Sequence, residues 1–253
     1  FSSMAEDPEN SSKIMGDLLK YRSIPEYQNP IISMTANLLE SGKLAPRKIR
    51  PYRKDILTLA KLELKRTTGN WMESKRSQTE YYEYSAPTDI SLLKNYITLL
   101  QPFSQEKEAQ TFFQKVEKLD IPELLLFTLE QKLAAENTVS DEFIQKIAKE
   151  KKSRWELYEI LKRNKKLDKF PKAISKEDIA FSVLLERNGN FNEKEDSIEF
   201  LATKTATHKS KSYEIYFFKI KTKNMYSGVD MTEIAYTAFE KDKAKSFKIS
   251  SKK

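Results

Sequence analysis

The sequence predicts an α+β protein that is mainly α: stacked helical hairpins followed by a small C-terminal antiparallel β-meander. Three observations carry this expectation. Glycine is scarce, five in 253 residues, where an average domain holds about 7%; that disfavours loop-rich barrels and nucleotide-binding α/β folds, and helices need few glycines. Between residues 88 and 188, cap-type residues recur just before short apolar-periodic segments, as helix starts do. After Gly189 the apolar period shortens and β-branched and aromatic residues take over, the pattern of strands.

The elements follow in order. Residues 1–11 form a polar tail. SSKIMGDLLKYRS reads as a short helix capped by Ser11 or Ser12. In NPIISMTANLLESG, Asn29 is expected to cap, Pro30 to take the first turn, and Ile31, Met34, Leu38 and Leu39 to line one face before Gly42 stops the helix. A long helix enters near Pro46 or Pro51 and is expected to end at Gly69. Residues 70–87, NWMESKRSQTEYYEYSAP, show no helical period and read as an irregular loop with Tyr81, Tyr82 and Tyr84 as contacts. Thr88, Ser104, Asp120, Ser140, Ser153 and Ser175 then precede the six segments that complete a helical region spanning 12–188. Taken in pairs, these segments start near 88, 120 and 153, a spacing at the short edge of helix-pair repeats.

Residues 189–253 read as a β module with a basic tail. SIEFLATKTAT, SYEIYFFKIKTK, DMTEIAYTAFEKD and KSFKIS are the strand candidates, with THKSKS as a hairpin turn. In the second, Tyr213, Ile215, Phe217 and Lys219 share one face, and Glu214, Tyr216, Phe218 and Ile220 share the other. Both faces are largely apolar, so the strand needs cover on two sides or an interface. Tyr216 and Phe218 are the residues expected at such an interface. The meander should dock on the last helix pair, since a lone hairpin is marginal in water.

DIPELLLFTLEQKL, SRWELYEILKRNKKLDKFP and the regular caps together resemble HEAT-type helical repeats over roughly residues 12–188. The ensemble is also similar to helical-repeat regions of large envelope-associated proteins from the Bacteroidetes. The resemblance implies an α-solenoid that works as a scaffold, and a place in or near a bacterial envelope, periplasmic or outer-membrane associated.

Little in the sequence points to a reaction. Cysteine is absent, which removes disulfides, thiolate zinc sites and a cysteine nucleophile. The single histidine, His208, lies in a lysine-rich turn, and no Gly-x-Ser-x-Gly elbow presents a serine. Neither phosphate-binding glycine motif occurs, and GNFNEKEDSIE lacks calcium-loop spacing. Glu156 and Glu159 sit three apart, as a surface helix face also explains. Trp155 falls at helical spacing with Leu157, Tyr158 and Leu161 and reads as core; Trp71 in its irregular stretch reads either as a partner contact or as packing over a helix end. No catalytic residue, cofactor or metal ligand is therefore expected. No apolar run reaches the roughly 18 residues of a membrane span. The start, FSSMAEDPENSSK, has neither an initiator Met nor a signal-peptide core, so the chain reads as a mature product or part of something longer.

Charge is uneven. In KLAPRKIRPYRKDILTLAKLELKR, residues 43–66, nine Lys or Arg face only Asp55 and Glu63. On a helix, Ile56, Leu57, Leu59, Ala60 and Leu64 span an apolar arc of roughly 160°, with Lys54, Lys61 and Lys65 at its edge and beyond. Arg47 and Arg50 extend the same stripe only if the helix runs unbroken through Pro51, which deprives the turn of a donor. With Arg53 they complete the basic candidates for partner contact, although a solvated helix edge also explains them. Base-stacking aromatics beside the charge are thin. The expected function is a non-catalytic scaffold or interaction subunit binding protein partners in a larger assembly. Its alternatives are a basic nucleic-acid-binding protein, docking on an anionic membrane surface, and the accessory segment of a longer enzyme.

Overall fold

A computed structural model describes residues 15, 17–80, 89–187, 196–223 and 230–240, with the side chains of 75–80 left aside. The described residues are mainly helical, with a C-terminal three-stranded antiparallel sheet. The chain divides into two compact units, Phe1–Val139 and Ser140–Lys253.

The first unit holds α1 (Pro25–Glu40), the short α2 (Pro46–Ile49), α3 (Arg53–Glu80), α4 (Ser91–Leu100), α5 (Lys107–Lys118) and α6 (Pro122–Ala134). Its centre is α4. Leu93, Tyr96, Ile97, Leu99 and Leu100 are all buried there, and each of the four aliphatic side chains contributes about 1.5–3 kcal/mol of burial. Both α1 and α3 pack on α4, which in turn touches α6; α3 also meets α5, and α5 lies against α6. Two polar ties fix α1 on α4: Gln28 Nε2 donates to Tyr96 Oη at 2.8 Å and Asn95 Nδ2 to Ser33 Oγ at 2.8 Å. The buried Thr128 hydroxyl returns its proton to the Leu124 carbonyl one turn back, at 2.7 Å.

Helix α1 stops where expected. Gly42 takes φ +71°, its N–H donates to Leu39 O at 3.0 Å and that of Lys43 to Leu38 O at 2.9 Å, a Schellman closure. Its start differs from expectation. The helix begins at Pro25 after an extended Ile24 and carries Pro30 inside. Pro30 withholds only the bond to Glu26 O, in an exposed first turn. Helix α3 also overruns its expected end, continuing through Gly69 to Glu80. A helical glycine costs only about 1 kcal/mol relative to alanine, too little to stop a helix anchored by Ile56, Leu57, Ala60 and Leu64. The stretch read as a loop is thus helical through residue 80, and 81–87 lie outside the described residues.

The second unit holds α7 (Asp141–Lys149), α8 (Arg154–Arg163), α9 (Lys176–Arg187), β1 (Ser197–His208), β2 (Lys211–Lys223) and β3 (Asp230–Glu240). Ser140 caps α7, accepting the Phe143 N–H at 3.2 Å. At Ser175 the cap is reciprocal: its Oγ accepts the Asp178 N–H at 3.1 Å, and Asp178 Oδ2 accepts the Ser175 N–H at 2.9 Å, the capping-box arrangement with Asp in the return role. The other expected caps behave differently. Glu106 and Ile121 precede α5 and α6, because a turn follows Ser104 and Pro122 claims the first helical position. Ser153 ends a 3-10 turn, with no side-chain cap bond. Thr88 lies outside the described residues.

Helix α8 packs on α7 and α9. Buried Ser182 ties α9 to α8, accepting the Trp155 N–H at 2.9 Å and donating to Lys152 O at 3.0 Å. The sheet runs β1-β2-β3, antiparallel throughout. Lys209 and Ser210 both take positive φ, +46° and +61°, in the two-residue turn between β1 and β2, the conformation that favours Asn-Gly. A bulge at Leu201 interrupts β1. The sheet docks on the helices as expected: Ile179, Ala180 and Leu184 of α9 pack with Tyr216, Phe218 and Phe239, and Trp155 stacks on Phe239 with ring centres 5.8 Å apart. KSFKIS lies outside the described residues.

Candidate interaction surfaces

The basic stretch folds into α2, a 3-10 turn at Arg50–Tyr52 and the first half of α3. Its apolar arc faces inward, with Ile56, Leu57, Ala60 and Leu64 buried and Leu59 half-buried. Several of its cations are engaged inside the unit. Arg53 Nε donates to Glu106 Oε2 at 2.9 Å. The Arg50 guanidinium lies 6.0 Å from the Phe103 ring centre. Arg66 closes on the buried Glu63 carboxylate with two bonds of 2.9 and 2.6 Å, and Thr67 adds a third at 3.3 Å. Arg53 and Arg50 therefore hold α3 and its entry to the segment around 103–106, which limits what they offer a partner.

The remaining cations point outward. Arg47, Lys54, Lys61 and Lys65 are exposed, and among the described residues none has a carboxylate partner. Positions 54, 58, 61, 65 and 72 recur at alternating helical steps and so share one stripe. Lys54, Thr58, Lys61, Lys65 and Met72 occupy it, with no acidic residue. Leu62 and Met72, 62% and 58% exposed, add apolar ends to this face. Neither was singled out from sequence; the signal available was their position opposite the apolar arc. Beside the stripe, Arg53, Lys54, Leu57, Phe103, Glu106 and Lys107 line a hollow of about 210 Å³. With Glu108, which also lines it, three cations face two carboxylates, so its charges largely offset one another.

Trp71 lies on the same helix but is half-buried and packs against the core of the first unit. Tyr81, Tyr82 and Tyr84 lie outside the described residues. Tyr216 and Phe218, expected at an interface, are only 4% and 1% exposed. They are core residues: α9 supplies the apolar cover that their face of β2 requires.

The opposite face of the sheet is different. Tyr213, Ile215, Phe217 and Tyr236 are half-buried there and, with Ala206, His208 and Ala238, line a groove of about 390 Å³. Cross-strand register makes the floor: Lys204, Ile215 and Ala238 form one row, and Ala202, Phe217 and Tyr236 the next. The Phe217 and Tyr236 rings lie 6.0 Å apart, and Lys204 Nζ sits 5.8 Å from the Phe217 ring centre. Alternation along β2 identified both apolar faces; which one α9 would cover was beyond it.

The Tyr216 phenol is pushed up to about 12, chiefly by burial and further by the charge of Glu214, whose Oε2 accepts its proton at 3.4 Å. Burial likewise raises Tyr96 and Tyr158. These shifts belong to packed core tyrosines. Among the described residues, no group of three or more His, Cys, Asp or Glu is placed to hold a metal ion, and no helix is long and apolar enough to cross a membrane. Comparison with protein-family models, curated proteins and solved structures finds no match to this chain.

Proposed function

We propose that this chain is a non-catalytic scaffold or interaction subunit that holds protein partners within a larger assembly. The observation that carries the reading is the outer face of α3. Its lysines are exposed, have no carboxylate partner among the described residues, and are flanked by protruding Leu62 and Met72. Exposed lysines beside protruding apolar side chains suit an acidic protein surface, since complementary charge sets orientation and on-rate while apolar anchors supply affinity. The HEAT-like reading of the helices draws support from the contacts of α6 with both α4 and α5, which join the pair expected to start near 88 to the one expected near 120, and from the packing of α8 on α9 within the third pair. Successive hairpins of a helical repeat touch in this way.

The test is a photo-crosslinking residue at position 62, introduced into the protein in its own cells. The expected product is a discrete protein adduct, lost in the Lys54→Glu, Lys61→Glu, Lys65→Glu variant. Adducts that are only nucleic acid or lipid would overturn the reading. The bare lysine stripe also keeps nucleic acid as a second reading. In that case filter binding of DNA or RNA should be tight at low salt and fall steeply as salt rises, because neutralising phosphates releases counterions. No retention at low salt removes it.

A further inference from the structure

The sheet of the second unit is apolar on both sides, and among the described residues a helix covers only one of them. A sheet needs a packed layer wherever its face is apolar. On the inner side α9 provides that layer through Ile179, Ala180 and Leu184. On the outer side Ile215, Phe217, Tyr213 and Tyr236 form a floor of similar character. With Ala206, His208 and Ala238 they line the groove of about 390 Å³.

We propose that this outer face seats an amphipathic helix of a partner protein, one whose apolar stripe is flanked by carboxylates. The helical form follows from the inner face, where the same three strands already accept a helix lying on them. The sign of the flank follows from the charges on the outer face. Glu240 is taken by Lys211, whose Nζ donates to it at 3.1 Å. Glu199 stands opposite Lys219 in the register. Glu214, on the inner side, is held by Lys176 at 2.6 Å. Lys204 is left on the apolar floor over Phe217 with no carboxylate partner among the described residues, and His208 closes the groove at the hairpin end. Burying Lys204 under an uncharged helix would strand its ammonium; a Glu or Asp at the flank satisfies it. A second copy of this chain is a poorer occupant, since two such faces would bring two unpaired Lys204 side chains into one interface.

This rests on the interaction-subunit reading but uses a surface separate from α3. The test takes the purified full chain and two labelled peptides of about 16 residues, ~24 Å as helices. Both carry one Leu/Phe stripe, flanked by Glu in one and by Lys in the other. Fluorescence anisotropy should show the Glu-flanked peptide bound and the Lys-flanked one at least about tenfold weaker. Phe217→Ser should weaken binding about tenfold or more, with circular dichroism unchanged. Lys204→Glu should reverse the preference between the peptides. The Lys54→Glu, Lys61→Glu, Lys65→Glu variant, which addresses the α3 face, should bind the Glu-flanked peptide as the parent does. Equal binding of both peptides, binding of neither, or a concentration-dependent dimer abolished by Phe217→Ser would each overturn the proposal.

Discussion

Replacing Gly69 with alanine should stabilise the first unit, although the residue sits where the sequence suggests a helix ends. Gly69 is exposed within α3, and a Cβ added there meets nothing within 4 Å. No packing is gained, so the whole effect is the reduced backbone freedom of the unfolded chain and better helix propensity, about 0.5–1 kcal/mol. Gly42 is the counterpart. Its Cβ would also meet open space, but its φ of +71° belongs to the left-handed region. An alanine there incurs about 1–2 kcal/mol of steric cost, partly offset by the same unfolded-state term, for a net loss near 1 kcal/mol. Urea titration followed by far-UV circular dichroism reads both. With a slope of about 2 kcal/mol/M, Gly69→Ala should raise the midpoint by about 0.3–0.5 M and Gly42→Ala lower it by a similar amount, both with unchanged slope. The opposite signs matter more than the sizes. A neutral or destabilising Gly69→Ala would mean that α3 does not run through residue 69, and the stripe reaching Met72 would fall with it.

Three further outcomes follow from the same contacts. Because folding raises the Tyr216 phenol above its ordinary 10.0 to about 12, its contribution to stability is complete below about pH 10 and is lost between about pH 10 and 12; urea midpoints across that range should fall, and less so in Tyr216→Phe. Ser182→Ala should cost about 1–3 kcal/mol by leaving the Trp155 N–H without its acceptor, seen as a lower thermal midpoint for the second unit. Exchanging Lys209-Ser210 for Asn-Gly, which tolerates the positive φ of both positions, should stabilise the hairpin by about 1 kcal/mol or more, measured as slower amide exchange in β1 and β2.

Local signals were legible in the sequence where one residue decides the backbone. Gly42, Ser140 and the Ser175–Asp178 pair act through their own atoms, and each does what its chemistry suggests. The two-residue turn at Lys209 and the period-2 faces of β2 are of the same kind. Helix bounds set by packing were not legible. Pro30 and Gly69 are weak punctuation that buried neighbours override, a tertiary effect that propensity does not contain. The candidate surfaces divide in the same way. The apolar arc of α3 fixed which lysines face outward, whereas Arg53 and Arg50 were claimed by Glu106 and Phe103 through contacts that only the fold brings together; Arg66 meets Glu63 one turn back on its own helix. For Tyr216 and Phe218 the alternation was right and the choice of face was wrong, because burial depended on where α9 came to rest.

The bulge at Leu201 bears on a different hazard. Among the described residues β1 has a neighbour only in β2, so it stands there as an edge strand with a threonine-rich outer rim, and edge strands are templates for stray chains. The extra residue kinks that rim and spoils its regular spacing, while Lys204 sets a charge against any strand that tries to zip along it. Straightening the kink by removing Leu201 would leave the native contacts of β2 and β3 in place yet turn a guarded border into a nucleus for fibrils.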